Sequence, residues 1–252
     1  MKRAAASAVV LSSALACAFA LAAEPAHHWS YSGGTGPSHW GAMEEAYEAC
    51  GIGKMQSPID IQTARAKPSA LPAIAFDYHP SPLRIVDNGH TVQVDYAPGS
   101  FITVGDDRYQ LIQFHFHKPS EEKLDGKPFD MVVHLVHRDA QGRLAVVAVP
   151  LSRGAPNHMV DVLWSHLPRE KGREGTFESV AIDASTLLPP DRGYYAFEGS
   201  LTTPPCSEGV RWFVLKSVNS VSAAEISTFG KRYPMNARPV QPLNGRQVLS
   251  TK

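Results

Sequence analysis

The stretch RYQLIQFHFH, residues 108–117, decides how the chain is read. It is rich in aromatic and β-branched residues, and a polar side chain returns at every second place towards its end. That is the period of a β-strand, whose side chains alternate between two faces. In a regular strand Leu111, Gln113, His115 and His117 share one face, and Ile112, Phe114 and Phe116 share the other, apolar one. His115 and His117 then have Cα atoms ~6.6 Å apart. That span suits two imidazoles converging on one ion; hydrogen-bonded or solvent-exposed histidines are the alternative reading.

Working outward, TVQVDY (91–96), DMVVHLVHR (130–138), RLAVVAV (143–149) and GVRWFVLKS (209–217) carry the same strand signals. Turn dipeptides such as Asp125-Gly126 and Gln141-Gly142 lie between them, which predicts neighbouring antiparallel strands. Helix signals are fewer. Asn157 caps a segment with Val160, Leu163, Trp164 and Leu167 at helical spacing, closed by Pro168. Ser222 and Glu225 form a capping box ahead of Ile226 and Phe229. The expected fold is β-dominated α+β. It is a single domain on a large twisted, mostly antiparallel central sheet with short peripheral helices.

A third ligand is within reach. His134 and His137 lie on opposite faces of the strand at 130–138, and paired strands are ~4.8 Å apart, so one of the two can join His115 and His117. His134 shares its face with Val132 and Val136. Three neutral imidazoles without a fourth protein ligand describe a catalytic zinc site with an open position. Imidazole also suits copper, iron and nickel.

The rest of the chain bounds the setting. The 252 residues are 43% hydrophobic and 19% charged, with 24 basic and 24 acidic side chains. A neutral balance gives no reason to expect nucleic acid or an anionic membrane surface as partner. Twenty prolines favour a turn-rich fold. Lys2 and Arg3 precede a charge-free apolar run to Ala23 with small-residue cleavage sites, so residues 1–23 read as a secretory signal peptide. An uncleaved anchor, or a lipoprotein site at Cys17, is the alternative. The domain is expected over 24–252, periplasmic, with no membrane attachment after cleavage. Cys50 and Cys206 remain as an even pair in an exported protein. A disulfide between them is the default reading and two buried free thiols the alternative.

Five ordered stretches then carry a resemblance: QSPIDI (56–61), DNGHTVQV (87–94), LIQFHFHKPSE (111–121), HLVH (134–137) and EGSLTTPPCSEGVRW (198–212). With HHWSYSGGTGPSHW (27–40) and NARPVQPLNGR (236–246) they span nearly the whole mature chain. The sequence resembles the alpha-class carbonic anhydrases, in particular their exported bacterial members. The resemblance implies a Zn²⁺ enzyme for reversible hydration of CO2 to bicarbonate and a proton, with His115, His117 and His134 as ligands. His137 becomes a structural histidine.

By the same resemblance Thr202 accepts a hydrogen bond from zinc-bound hydroxide and donates its own to Glu121. Val136, Val146, Leu201, Val210 and Trp212, with Thr203, line the substrate site. His90 is the proton shuttle, an exposed imidazole with a pKa near 6.5. Tyr31, Asn88 and Gln93 order the intervening water, Gln113 supports the site behind its ligands, and Cys50 pairs with Cys206. Relatives occur as monomers and homodimers. A carbonic-anhydrase-like binding module with weak or no activity, or a zinc esterase, is the alternative reading.

The chain departs from the family pattern at one neighbourhood. Val132 stands where a glutamate usually supports the third ligand, Glu122 where a histidine follows the Ser-Glu pair, and Phe197 where a tyrosine is expected. Glu122 is therefore expected to take over the support of His134. The competing expectation is a damaged neighbourhood and weaker metal binding.

Overall fold

The computed structural model describes residues 28–252; the leader at 1–23, with Cys17, lies outside them. Seven strands carry the centre of the molecule: β1 (Ser81–Asp87), β2 (Val92–Asp95), β3 (Asp107–His117), β4 (Met131–Arg138), β5 (Leu144–Arg153), β6 (Tyr194–Ser200) and β7 (Glu208–Leu215). They lie side by side in the order β1-β2-β3-β4-β5-β7-β6, within a mixed sheet of thirteen strands. The helices are few and short, chiefly α1 (His158–Ser165) and α2 (Ala223–Arg232). Asn157 caps α1 through Met159 and Val160, and Ser222 and Glu225 close the capping box of α2.

The pairing β2-β3-β4-β5 is antiparallel throughout. The step from β5 to β7 is not: Ala145 to Ala148 pair in parallel with Arg211 to Val214. This corrects the antiparallel expectation for GVRWFVLKS. Parallel neighbours need a long crossover, and residues 154–207, including α1, supply it. Asp125-Gly126 also turns elsewhere. It closes a small hairpin, Lys123–Leu124 against Lys127–Pro128, in a side sheet of three strands.

A second correction falls within RYQLIQFHFH. Gln113 stands opposite Val136 and Leu111 opposite His137, so Ile112 is an extra residue on β3. A bulge of this kind reverses the alternation beyond it. Leu111 therefore joins Phe114 and Phe116 in the main core, and Ile112 packs on the other side with Val136, Val146 and Trp212. The phenylalanine face is covered by the helices: Phe116 meets Trp164 at 5.1 Å and Phe229 at 6.3 Å between ring centroids. The opposite face is left to the histidines.

Candidate metal centre and active site

His134 stands directly opposite His115 across the β3–β4 pair, and Gln93 on β2 flanks His115 from the other side. His117 lies two residues further along the same face. One ring nitrogen from each of His115, His117 and His134 falls within 4.8 Å of the others. His117 and His134 are fully buried and His115 is half-buried.

The second nitrogen of each ring is anchored. His115 Nδ1 donates to Gln113 Oε1 at 2.8 Å, His117 Nδ1 to the Asn236 carbonyl at 2.7 Å, and His134 Nε2 to Glu122 Oε2 at 3.1 Å. Such hydrogen bonds set the tautomer and leave the other nitrogen as a lone-pair donor. Burial pushes the pKa of His115 down to about 3 and that of His117 well below 6.5, so both rings are neutral at pH 7. Burial also lowers His134, but the Glu122 and Glu121 carboxyl groups outweigh it and the net shift is upward. His117 Nε2 is buried with no hydrogen-bond partner among the described residues. An orphaned imidazole nitrogen, facing two further imidazoles and 3.5 Å from Glu121 Oε2, belongs to a donor set that fits a divalent ion such as zinc.

Glu121 is 1% exposed, and its Oε1 accepts from the Arg238 backbone N–H at 2.8 Å. Burial raises its pKa to about 7, with His134 pulling the other way and Glu122 adding to the rise. The buried Thr202 side chain lowers it in turn, while Oε2 has no hydrogen-bond partner among the described residues. Val136, Val146, Val210 and Trp212 lie in one apolar cluster, with Leu201 at its margin. Trp212 sets its edge against the His134 ring at 5.0 Å. The indole is held in turn by Nε1–H···O=C to Ser200 at 3.0 Å and by Gly199, where any side chain would strike Trp212 and Ser57. Thr203 is half-buried at the turn beyond.

His90 differs from its expectation. It is half-buried, stacked on Trp29 at 3.5 Å and on His28 at 4.9 Å between centroids. Burial, then the nearby His28 and Lys171 charges, lower its pKa to about 4 instead of 6.5. Beside it, Asn88 Oδ1 accepts from the His90 and Thr91 backbones, and Gln93 Nε2 donates to Asp95 at 2.7 Å. Burial and the Glu121 charge push the Tyr31 hydroxyl pKa well above 10. His137 sits on the far face, receiving a hydrogen bond from Tyr78 at 2.8 Å and donating to the Ala145 carbonyl at 3.3 Å. Cys50 and Cys206 form a disulfide.

Two supporting residues escaped the reading of the sequence. Asn236 orients His117 through its carbonyl, while its side chain accepts from Lys118 N and donates to the Phe116 and His90 carbonyls. Arg238 is 2% exposed and binds Gln56, Ser57 and Cys50. Backbone carbonyls carry no residue signal, so only the Asn-x-Arg-Pro loop itself could have drawn attention to them.

Three converging imidazoles beside an apolar wall, on one face of a large mixed sheet, are placed to bind a metal ion. The chain belongs to the carbonic anhydrase family of eukaryotic type, whose pattern matches residues 35–252. It is thereby an enzyme of the carbonic anhydrase class, whose reaction is CO2 hydration. A carbonic anhydrase of Nostoc sp. is 43% identical over 225 residues, 88% of this chain and 85% of the relative. The alpha-carbonic anhydrase of Thermovibrio ammonificans, solved with the inhibitor sulfanilamide, is 42% identical with a TM-score of 0.85, covering 88% of this chain and 98% of that one. A hyperthermostable carbonic anhydrase identified from an active hydrothermal vent chimney is 44% identical with a TM-score of 0.86, covering 89% and 100%.

Proposed function

We propose that this protein catalyses the reversible, zinc-dependent hydration of CO2 to bicarbonate and a proton, in the periplasm, as one domain over residues 24–252. The observation that carries the reading is the single focus shared by His115, His117 and His134. These three would hold Zn²⁺. When bound, the ion supplies the acidity that turns a coordinated water into a nucleophile at neutral pH; carbonic anhydrase is itself the standard example of this effect.

The chain's own residues then have separable tasks. Thr202 donates to Glu121, which fixes its hydroxyl and turns the oxygen lone pairs towards the focus. Val136, Val146, Leu201, Val210 and Trp212 offer a small apolar substrate a surface that water does not compete for. Thr203 borders that surface. His90 is proposed to accept the product proton with its ring off Trp29, because in the stack it is too weak a base for transfer near pH 7. Tyr31, Asn88 and Gln93 would hold the water between. Gln113 and Asn236 keep their ligand rings in the donor tautomer.

Export rests on the apolar leader and on the Cys50–Cys206 disulfide, a bond of oxidising compartments. Among the described residues no helix is long and apolar enough to cross a membrane. The test is metal analysis of the mature protein beside His115→Ala, His117→Ala and His134→Ala variants. The expected result is one zinc per chain in the parent, with loss of zinc and of CO2 hydration in each variant. Full zinc content in all three would overturn the assignment.

A further inference from the structure

The His134 ring is held between two consecutive residues of one loop. Glu122 Oε2 accepts from Nε2 at 3.1 Å, and Glu121 Oε2 lies 3.9 Å from Nδ1. Both carboxyl groups are almost wholly buried, at 2% and 1% exposure. The strand that carries His134 offers its ring nothing polar. Val132, on the same face two residues earlier, belongs to the apolar cluster. So does Phe197, which lies parallel to Trp212 at 6.0 Å.

We infer that Glu122 is the positioning residue for the third metal ligand, and that the residence time of the ion is set from this loop instead of from the strand. This rests on the reading of the three histidines as zinc ligands. Among the described residues the Glu122 side chain has no other partner: Oε1 is buried without a hydrogen bond, and Oε2 bonds only to His134. A buried carboxyl group is costly unless its charge or hydrogen bond is used. Here the one use is to keep the proton of His134 on Nε2 and the lone pair on Nδ1.

The loop is built to hold that aim. Ser120 Oγ donates to the Glu122 carbonyl and accepts from Phe129 N, each at 2.8 Å. Lys118 N donates to Asn236 Oδ1, and Asn236 N donates to the Lys118 carbonyl. Arg238 N ties Glu121. Val132 pairs with His117 across the strands, which puts its side chain on the ligand face, so a carboxylate installed at 132 stands where it too can accept from His134.

The experiment loads Zn²⁺ into the parent protein and into Glu122→Ala, Glu122→Gln and Glu122→Ala/Val132→Glu variants, then follows zinc transfer to a chromogenic chelator. Visible absorption of the Co²⁺-loaded proteins reports ligand geometry, and urea denaturation reports folding. Glu122→Ala is expected to release zinc roughly 10- to 100-fold faster and to alter the cobalt spectrum. Glu122→Gln keeps an acceptor oxygen and falls between. The double variant returns towards the parent in both readouts, which a purely structural role of Glu122 would not produce. Parent-like release and spectrum in Glu122→Ala would overturn the inference while leaving the zinc site intact. Fast release in Glu122→Gln equal to that of Glu122→Ala, with no recovery in the double variant, would overturn it too. A parent protein that binds no zinc removes the reading of the site itself, a result distinct from either.

Discussion

The imidazole of His90 lies flat on the indole of Trp29, with ring centroids 3.5 Å apart and planes 7° from parallel. The stack contributes to the burial that, with the nearby His28 and Lys171 charges, lowers the His90 pKa to about 4. Trp29→Ala is expected to return that pKa towards 6.5, read by NMR titration of the ring protons. His90→Ala is expected to lower kcat in dilute buffer by up to roughly 100-fold, with recovery on adding imidazole. A parent-like kcat in dilute buffer would remove His90 from proton transfer.

His137 gives the fold a sensitivity to acid. Burial keeps it neutral and lowers its pKa to about 3, with the Ala145 and Leu135 carbonyls opposing. A folded pKa below the unfolded 6.5 means that the unfolded chain binds the extra proton first. The stabilisation is therefore complete above pH 6.5 and is lost as pH falls from 6.5 towards 3. The slope is about 1.4 kcal/mol per pH unit. In urea denaturation of the zinc-loaded protein between pH 7 and 4.5, His137→Gln should reduce the slope by about that amount. An unchanged slope would place the acid sensitivity elsewhere.

Glu225 joins the N-termini of both main helices. Its carboxyl group accepts from Asn157 N at 2.8 Å and from Ser222 N. Glu225→Ala leaves two largely buried amide donors unpaired, a loss of about 2–4 kcal/mol. Because α1 and α2 cover the phenylalanine face, zinc content should stay at the parent level. Loss of zinc in a folded variant would show that the two faces of the sheet are coupled.

The Cys50–Cys206 disulfide closes a separation of 156 residues. On chain entropy alone its reduction removes up to roughly 5 kcal/mol. Denaturation of the protein with and without reductant should differ by several kcal/mol in that direction. Equal midpoints would mean that the packing of Cys50 and Cys206 against the fully buried Trp40 holds without the bond.

The sequence makes the ligand face legible because alternation is local: His115 and His117 declare themselves two residues apart. It does not make the bulge at Ile112 legible, since an inserted residue looks the same as any other until its partner strand is known. Leu111 and Ile112 accordingly exchange sides. The parallel β5–β7 pair escapes for a related reason, because the partner of a strand is chosen by packing far away in the chain. The helix caps at Asn157 and Ser222 are local chemistry and are read directly. The setting of His90 depends on Trp29, some sixty residues distant, and the support of His117 depends on a carbonyl, which every residue has.

The most direct measurement is CO2 hydration followed by stopped flow on the mature protein. It is made zinc-loaded, then stripped by a chelator, then reloaded, each with and without a sulfonamide. The account predicts rapid hydration that is blocked by the sulfonamide, lost with the metal and restored with Zn²⁺. A protein that holds one zinc per chain at His115, His117 and His134, yet hydrates CO2 no faster than buffer, would contradict it.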